Sequence, residues 1–240
     1  MISMKRIVLK LSGEAFGQDA LDAPFAAPAF DSAAREIALA QKSGTGVIVV
    51  VGGGNIARGA TLSLMGIARV EADQVGMLAT IQNAILLQAR LEALGVSTRV
   101  LSAIRVDAVC EPYLRRRALR HLEKGRVVIC AAGTGNPFAT TDSAATLRAL
   151  ELEADALLFA KNGVDGVYTA DPKVDPSATR IERLTYRDVL AQDLHFMDQG
   201  AIAQLIASER DLPIYVYDAG VSGNLLKLVR GEMVGTIVTR

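Results

Sequence analysis

The sequence predicts an α/β fold: a mostly parallel central sheet flanked by helices on both faces, a three-layer α/β/α sandwich. Three observations carry this. Short β-branched runs alternate with longer helical patterns along the chain, and such alternation needs helical crossovers over a parallel sheet. One of these runs, GVIVVV (46–51), is apolar on both faces, as a central parallel strand must be. Half of the 240 residues are hydrophobic (50%), enough apolar area for a full-sized core.

The elements follow in order. RIVLKL (6–11) reads as the first strand, and FDSAAREIALAQKSG (30–44) as a helix capped by Asp31 or Ser32 and stopped at Gly44. GVIVVV is the second strand. From Asp73 to Leu94 runs one long helical pattern whose apolar positions, among them Val75, Leu78, Ile81 and Leu86, cover more than one stripe. Such a helix is either deeply buried or packed on another subunit. STRVLSA (97–103) and RVVICAA (126–132) are further strands, SAATLRALELEA (143–154) a helix, and DALLFA (155–160) the strand after it. NGVDGVYTADPKVDP (162–176) is rich in Gly, Asp and Pro and reads as turns with a short hairpin. LPIYVYD (212–218) and GTIVT (235–239) are late strands, and a second lobe is expected to begin near residue 160.

Charge and composition narrow the function. Lys plus Arg and Asp plus Glu number 26 each, a formal net charge of zero, which disfavours a nucleic-acid binder. No stretch approaches the length of a membrane-spanning helix, and the first residues lack a signal-peptide apolar core. The two cysteines, Cys110 and Cys130, form no CxxC pair and read as buried small hydrophobes, as expected of a cytoplasmic protein. His121 and His195 have no neighbours at metal-ligand spacing, so no protein-held metal is expected. RRRALR (115–120) reads as a solvated helix face.

Four glycine-bearing turns follow strands: KLSGE (10–14), GGGNIARG (52–59), GTGNP (133–137) and KNGVDG (161–166). Beyond the carboxyl ends of parallel strands they converge on one rim, where ligands bind in open α/β sheets. Glycine lets backbone N–H groups approach closely, the chemistry of a phosphate cradle. The pattern is neither GxGxxG nor GxxxxGK[ST], and HRD, DFG and GxSxG are absent. Lys10, in an apolar strand, is a point charge for a migrating phosphoryl group or a snorkelling edge lysine. Asp142, after Thr140 and Thr141, is a helix cap or Lys10's partner. Arg58 is a phosphate contact or a solvated helix residue.

KLSGE, GGGN..RG, ADQVGMLAT, GTGNPFATTDSAA and KNGVDGVYTADP, in this order over nearly the whole chain, resemble the bacterial UMP kinases of the amino acid kinase family. GTGNP followed by TTD is the most specific piece. The resemblance implies phosphoryl transfer from ATP to UMP with Mg²⁺ as cofactor, in a cytoplasmic homohexamer that binds neither nucleic acid nor membrane. It implies one domain over 1–240, with an acceptor lobe to about residue 158 and an ATP lobe beyond. Lys10 and Asp142 would be the catalytic pair. Gly53, Asp73, Thr134, Gly135, Asn136, Pro137, Phe138, Ala139, Thr140 and Thr141 would hold UMP. Lys10, Leu11, Ser12, Gly13, Gly54, Arg58, Asn162, Tyr168 and Asp171 would hold ATP. Ala139 departs from the family, which has a second aromatic after NPF. Three other readings compete: a carboxylate or carbamate kinase of the same fold, a nucleotide sensor without turnover, and an NAD-dependent oxidoreductase, the last disfavoured by the missing GxGxxG.

Overall fold

The computed structural model describes residues 4–17, 24–57, 59–172 and 174–240. Arg58, one of the expected ATP contacts, lies outside them. The elements run β1 (Arg6–Leu11), a 3₁₀ turn (Gly13–Ala15), α1 (Ala27–Lys42), β2 (Gly46–Val51), α2 (Gly59–Leu64), α3 (Arg69–Ala93), β3 (Thr98–Ser102) and β4 (Glu111–Pro112). Then come α4 (Arg115–Glu123), β5 (Val127–Ala131), α5 (Thr141–Glu151), β6 (Ala156–Lys161), β7 (Val167–Tyr168), β8 (Arg180–Ile181) and β9 (Arg183–Thr185). The chain closes with α6 (Tyr186–Ala191), α7 (Gln199–Ala207), β10 (Ile214–Asp218), α8 (Asn224–Val229) and β11 (Thr236–Thr239).

Among the described residues nine strands form one sheet in the order β4-β3-β5-β2-β1-β6-β10-β11-β9. All neighbours are parallel except β10 and β11. β7 and β8 pair as a separate antiparallel hairpin. The strand order reverses about β1. Crossovers that step from β1 towards β3 carry α1 and α3 on one face, and those that step back towards β10 carry α4 to α7 on the other. Right-handed connections require this division.

Two cores result. On one face Ile7, Leu9, Val47, Val49, Ile129 and Leu158 meet Ile37 of α1, Leu87 of α3 and Leu228 of α8. On the other, Val8, Ile48, Val50, Val128, Leu157 and Phe159 meet Ala145 of α5, Val189 of α6 and Ile202 of α7. The period-two alternation in β1, with Ile7 and Leu9 on one side and Val8 on the other, is what a strand covered on both faces produces. Each fully buried aliphatic side chain contributes about 1.5–3 kcal/mol.

The boundaries correct three expectations. α1 begins at Ala27 after the N-cap Ala26, with proline in its first turn; Asp31 and Ser32 sit inside the helix. A proline without an N–H to satisfy starts a helix without side-chain capping. α3 begins a turn early, at Arg69, and only one face is sealed: Ile81, Ala84, Leu87 and Leu91 are buried, while Val75, Leu78 and Leu86 remain 40%, 49% and 37% exposed. In the expected hairpin the returning strand lies at 180–181, further along than read.

Candidate active site

The four glycine turns meet at one edge of the sheet. β1 is paired in register with both neighbours, Lys10 opposite Val50 of β2 and Phe159 of β6. The first two turns touch directly: a Cβ on Gly13 would lie 2.2 Å from the Gly54 backbone nitrogen, and one on Gly52 2.7 Å from the Gly13 nitrogen. No side chain fits between them, which is why the sequence spends glycines there. Asn55 and Asn83, both buried, bond each other, and Asn83 Nδ2 donates to the Gly52 carbonyl, fixing this turn to α3.

Lys10 leaves the face of β1 that carries Val8. Its Nζ lies 2.9 Å from Asp142 Oδ1, the two side chains only 12% and 16% exposed. Asp142 is held from behind: Thr140 caps α5 by accepting from the Ser143 N–H at 3.1 Å, and Asp142 Oδ2 accepts from the Asp198 N–H at 3.0 Å. Thr140 therefore does the capping, and Asp142 is left to face the ammonium. Lys10 Nζ also stands 5.5 Å from the Phe159 ring centre, within cation–π range.

A second cation belongs here that sequence reasoning passed over. Lys161 ends β6, two residues beyond Phe159 and so on the same face. Its Nζ donates to the Phe196 carbonyl at 2.7 Å. Burial, and then the charge of Lys10, push Lys161 below the ordinary lysine value of 10.5, with the Asp142 and Glu14 carboxylates acting in the other direction. Its only signal in the sequence is a lysine closing an apolar strand, weaker than Lys10, which interrupts one.

Two cavities open nearby, one lined by Thr141 next to Asp142 and the other by Lys161 of the strand beside Lys10. One, of about 500 Å³, is lined by Gly53, Gly54, Asp73, Thr134, Asn136, Ala139, Thr140 and Thr141. Arg69 and Thr80 also line it, and neither was anticipated. Gly135 and Pro137 face a smaller neighbouring cavity beside α3, and Phe138 is 70% exposed, stacked near Arg69. Asp73 is already engaged: Arg69 Nε reaches both its oxygens at 2.8 and 2.9 Å, and the Phe138 N–H donates to it at 2.7 Å. The other cavity, of about 530 Å³, is lined by Lys161, Tyr168, Asp171, His195 and Phe196. Asn162 and Leu11 line neither; they face a third cavity under α1, where Asn162 Nδ2 donates to the Glu14 carbonyl. Ser12 and Gly13 lie in the turn between.

This arrangement can bind two phosphate-bearing ligands on either side of two ammonium groups. The profile of the amino acid kinase family matches residues 5–218. The chain belongs to the amino acid kinase family. Within it, the chain is 48% identical to the uridylate kinase of Hyphomonas neptunium, over all of this chain and 94% of that one. It is 50% identical to the uridylate kinase of Xanthomonas oryzae pv. oryzae, over 99% and 97% of the two chains. The crystal structure of UMP kinase from Bacillus anthracis superimposes with a TM-score of 0.94 at 41% identity, covering 99% of this chain and 97% of that one. UMP kinase from Ureaplasma parvum follows at 0.91 and 34%, covering both chains fully. In this amino acid kinase no helix among the described residues is long and apolar enough to cross a membrane.

Proposed function

We propose that this chain transfers the γ-phosphoryl group of ATP to UMP, giving ADP and UDP. The observation that carries the reading is the Lys10–Asp142 pair, seated where the strand order reverses, with one cavity lined by Thr141 next to Asp142 and another lined by Lys161 of the adjoining strand. The cavity under GTGNPFATT takes UMP, with Gly53, Asp73, Thr134, Asn136, Ala139, Thr140 and Thr141 around it and Gly135, Pro137 and Phe138 shaping the loop. The cavity beside Tyr168 and Asp171 takes ATP, whose phosphates would extend towards Lys10, Ser12 and Gly13 and to Gly54 at the rim of the acceptor cavity; Leu11, Arg58 and Asn162 remain ATP contacts by resemblance, Leu11 and Asn162 facing instead the cavity under α1. Residues up to about 158 then form the acceptor lobe and the remainder the ATP lobe.

The chemistry asks for little more. The second pKa of a phosphate monoester is about 6, so the attacking oxygen of UMP is ionised at neutral pH and no general base is needed. What remains is alignment and neutralisation of charge on the transferring group. Lys10 and Lys161 supply positive charge from adjacent strands, and the backbone N–H groups of the glycine turns supply fixed donors. Asp142 holds the Lys10 ammonium in place. Mg²⁺, if it arrives with ATP, would supply further neutralisation at the phosphate oxygens. Among the described residues no group of three His, Cys, Asp or Glu could hold a metal ion. We place the enzyme in the cytoplasm as a homohexamer; the half-open apolar face of α3 supports self-association.

The test measures ADP formation from Mg·ATP with UMP, CMP, dUMP, AMP, acetylglutamate and carbamate as acceptors. Strong turnover with UMP is expected. Turnover with an amino-acid or carbamate acceptor alone would overturn the acceptor assignment, and ATP binding without turnover would make the chain a sensor. Lys10→Ala is expected to lower kcat by about 10²–10³-fold, the loss of one electrostatic stabiliser. Asp142→Asn is expected to lower kcat more than ATP affinity; a loss confined to nucleotide binding would reduce Asp142 to a binding role.

A further inference from the structure

Arg148 is the most buried cation among the described residues, 4% exposed in the second turn of α5. Its guanidinium lies 3.7 Å from the centre of the Tyr113 ring. Nη1 donates to Glu151 Oε2 at 2.7 Å, an oxygen that also accepts from the Tyr113 hydroxyl at 2.6 Å. Nη2 donates to the Gly133 carbonyl at 3.3 Å, and Nε is buried without a partner. A guanidinium held in this way, with one N–H unsatisfied, is costly. Its remaining contact is with the first residue of the acceptor loop.

That loop is strained where Arg148 grips it. Ala132 and Gly133 both take left-handed backbone angles, φ 61° and 58°, a conformation that alanine adopts only under constraint. From the other side, Thr80 Oγ1 accepts from the Ala132 N–H at 2.7 Å. In a trans peptide the C=O and the following N–H point in opposite directions. Drawing the Gly133 carbonyl back onto Arg148 therefore turns the Thr134 N–H forward, into the cavity that Thr134 lines. No described residue accepts from that N–H. The loop follows β5, two strands from β1, so Thr134 stands about 10 Å from the Lys10 strand by ordinary strand spacing. With the UMP phosphate at Lys10, this is the base end of the nucleotide.

We propose that Arg148 is a positioning residue for acceptor specificity: by holding the Gly133 carbonyl it aims the Thr134 N–H at the carbonyl oxygen that distinguishes uracil from cytosine. The cytosine amino group presents a donor where uracil presents an acceptor, so an N–H fixed in this direction rejects CMP by leaving two donors opposed. This rests on the UMP kinase reading given above.

Arg148→Lys tests it. The ammonium can keep its pairing with Glu151 but cannot span Glu151 and Gly133 together. The expected result is a folded enzyme with kcat and the KM for ATP within about twofold, the KM for UMP raised about tenfold, and the UMP-over-CMP preference in kcat/KM lowered about tenfold, the weight of one well-aimed hydrogen bond. Glu151→Gln, which keeps the shape of Arg148's anchor and weakens its hold, should shift the preference the same way by less. An unchanged UMP-over-CMP preference in whichever of the two folds overturns the proposal, as does an equal loss for both acceptors, the mark of a merely structural role. If the unaltered enzyme fails to phosphorylate UMP, the failure belongs to the functional reading instead.

Discussion

If Lys161 acts on the phosphoryl group as proposed, folding and catalysis depend on its proton in opposite directions. Burial and the neighbouring Lys10 charge lower its pKa below 10.5, so the folded chain releases this proton before the unfolded chain does. Over the alkaline window between the lowered value and 10.5 the unfolded state binds more protons, and stability rises with pH there. Turnover runs the other way, because a neutral amine cannot offset phosphoryl charge. A kcat profile measured beside urea unfolding at the same pH values should show kcat falling while the contribution of Lys161 to stability grows. In Lys161→Met both trends should vanish, with kcat already reduced at neutral pH. The same residue marks a limit of reading from sequence. Lys10, Thr140 and Asp142 stood out because a polar residue interrupts an apolar run or opens a helix, and the structure brings all three together. Lys161 looks like any strand-ending lysine, and its partner is the Phe196 carbonyl, a backbone atom that no residue letter announces.

At the scale of elements, the strands with β-branched runs were legible almost to the residue, since a strand buried on both faces leaves no other pattern. After residue 160 the late strands β10 and β11 were legible too, within LPIYVYD and GTIVT, but the short elements around them were not. β9 has three residues and pairs with β11, over fifty positions away, while α6 and α8 have six residues each, too short for periodicity to register. Turn glycines were legible as a class but not in their reasons. Gly13 and Gly52 are needed because two turns press backbone against backbone, whereas nothing lies within 4 Å of a Cβ placed on Gly59, at the start of α2, or on Gly76, inside α3. Gly13→Ala is therefore expected to destabilise the fold by about 1–3 kcal/mol or more, as overpacking does, and to cut kcat by displacing the turn beside Lys10. Gly76→Ala, inside α3, should be stabilising by up to about 1 kcal/mol through helix propensity. Thermal unfolding of the two variants separates these outcomes.

Over the whole molecule, α3 carries the clearest unspent surface. Val75, Leu78 and Leu86 stay substantially exposed on a helix of 25 residues whose opposite side is sealed in the core. If that face joins subunits, Leu78→Glu should lower the mass seen by light scattering while leaving circular dichroism unchanged; an unaltered mass would place the contact elsewhere. One feature of the sheet bears on how such an enzyme works at all. Lys10 sits on a strand zipped on both edges to its neighbours, in the middle of nine. If Lys10 is the catalytic ammonium proposed above, it behaves as an anvil with a fixed address, and admission and release of nucleotides would fall to the walls around it, the GTGNPF loop and the stretch before α7. Variation in speed among enzymes built on this plan would then be written in those walls, while the anvil itself stays unchanged.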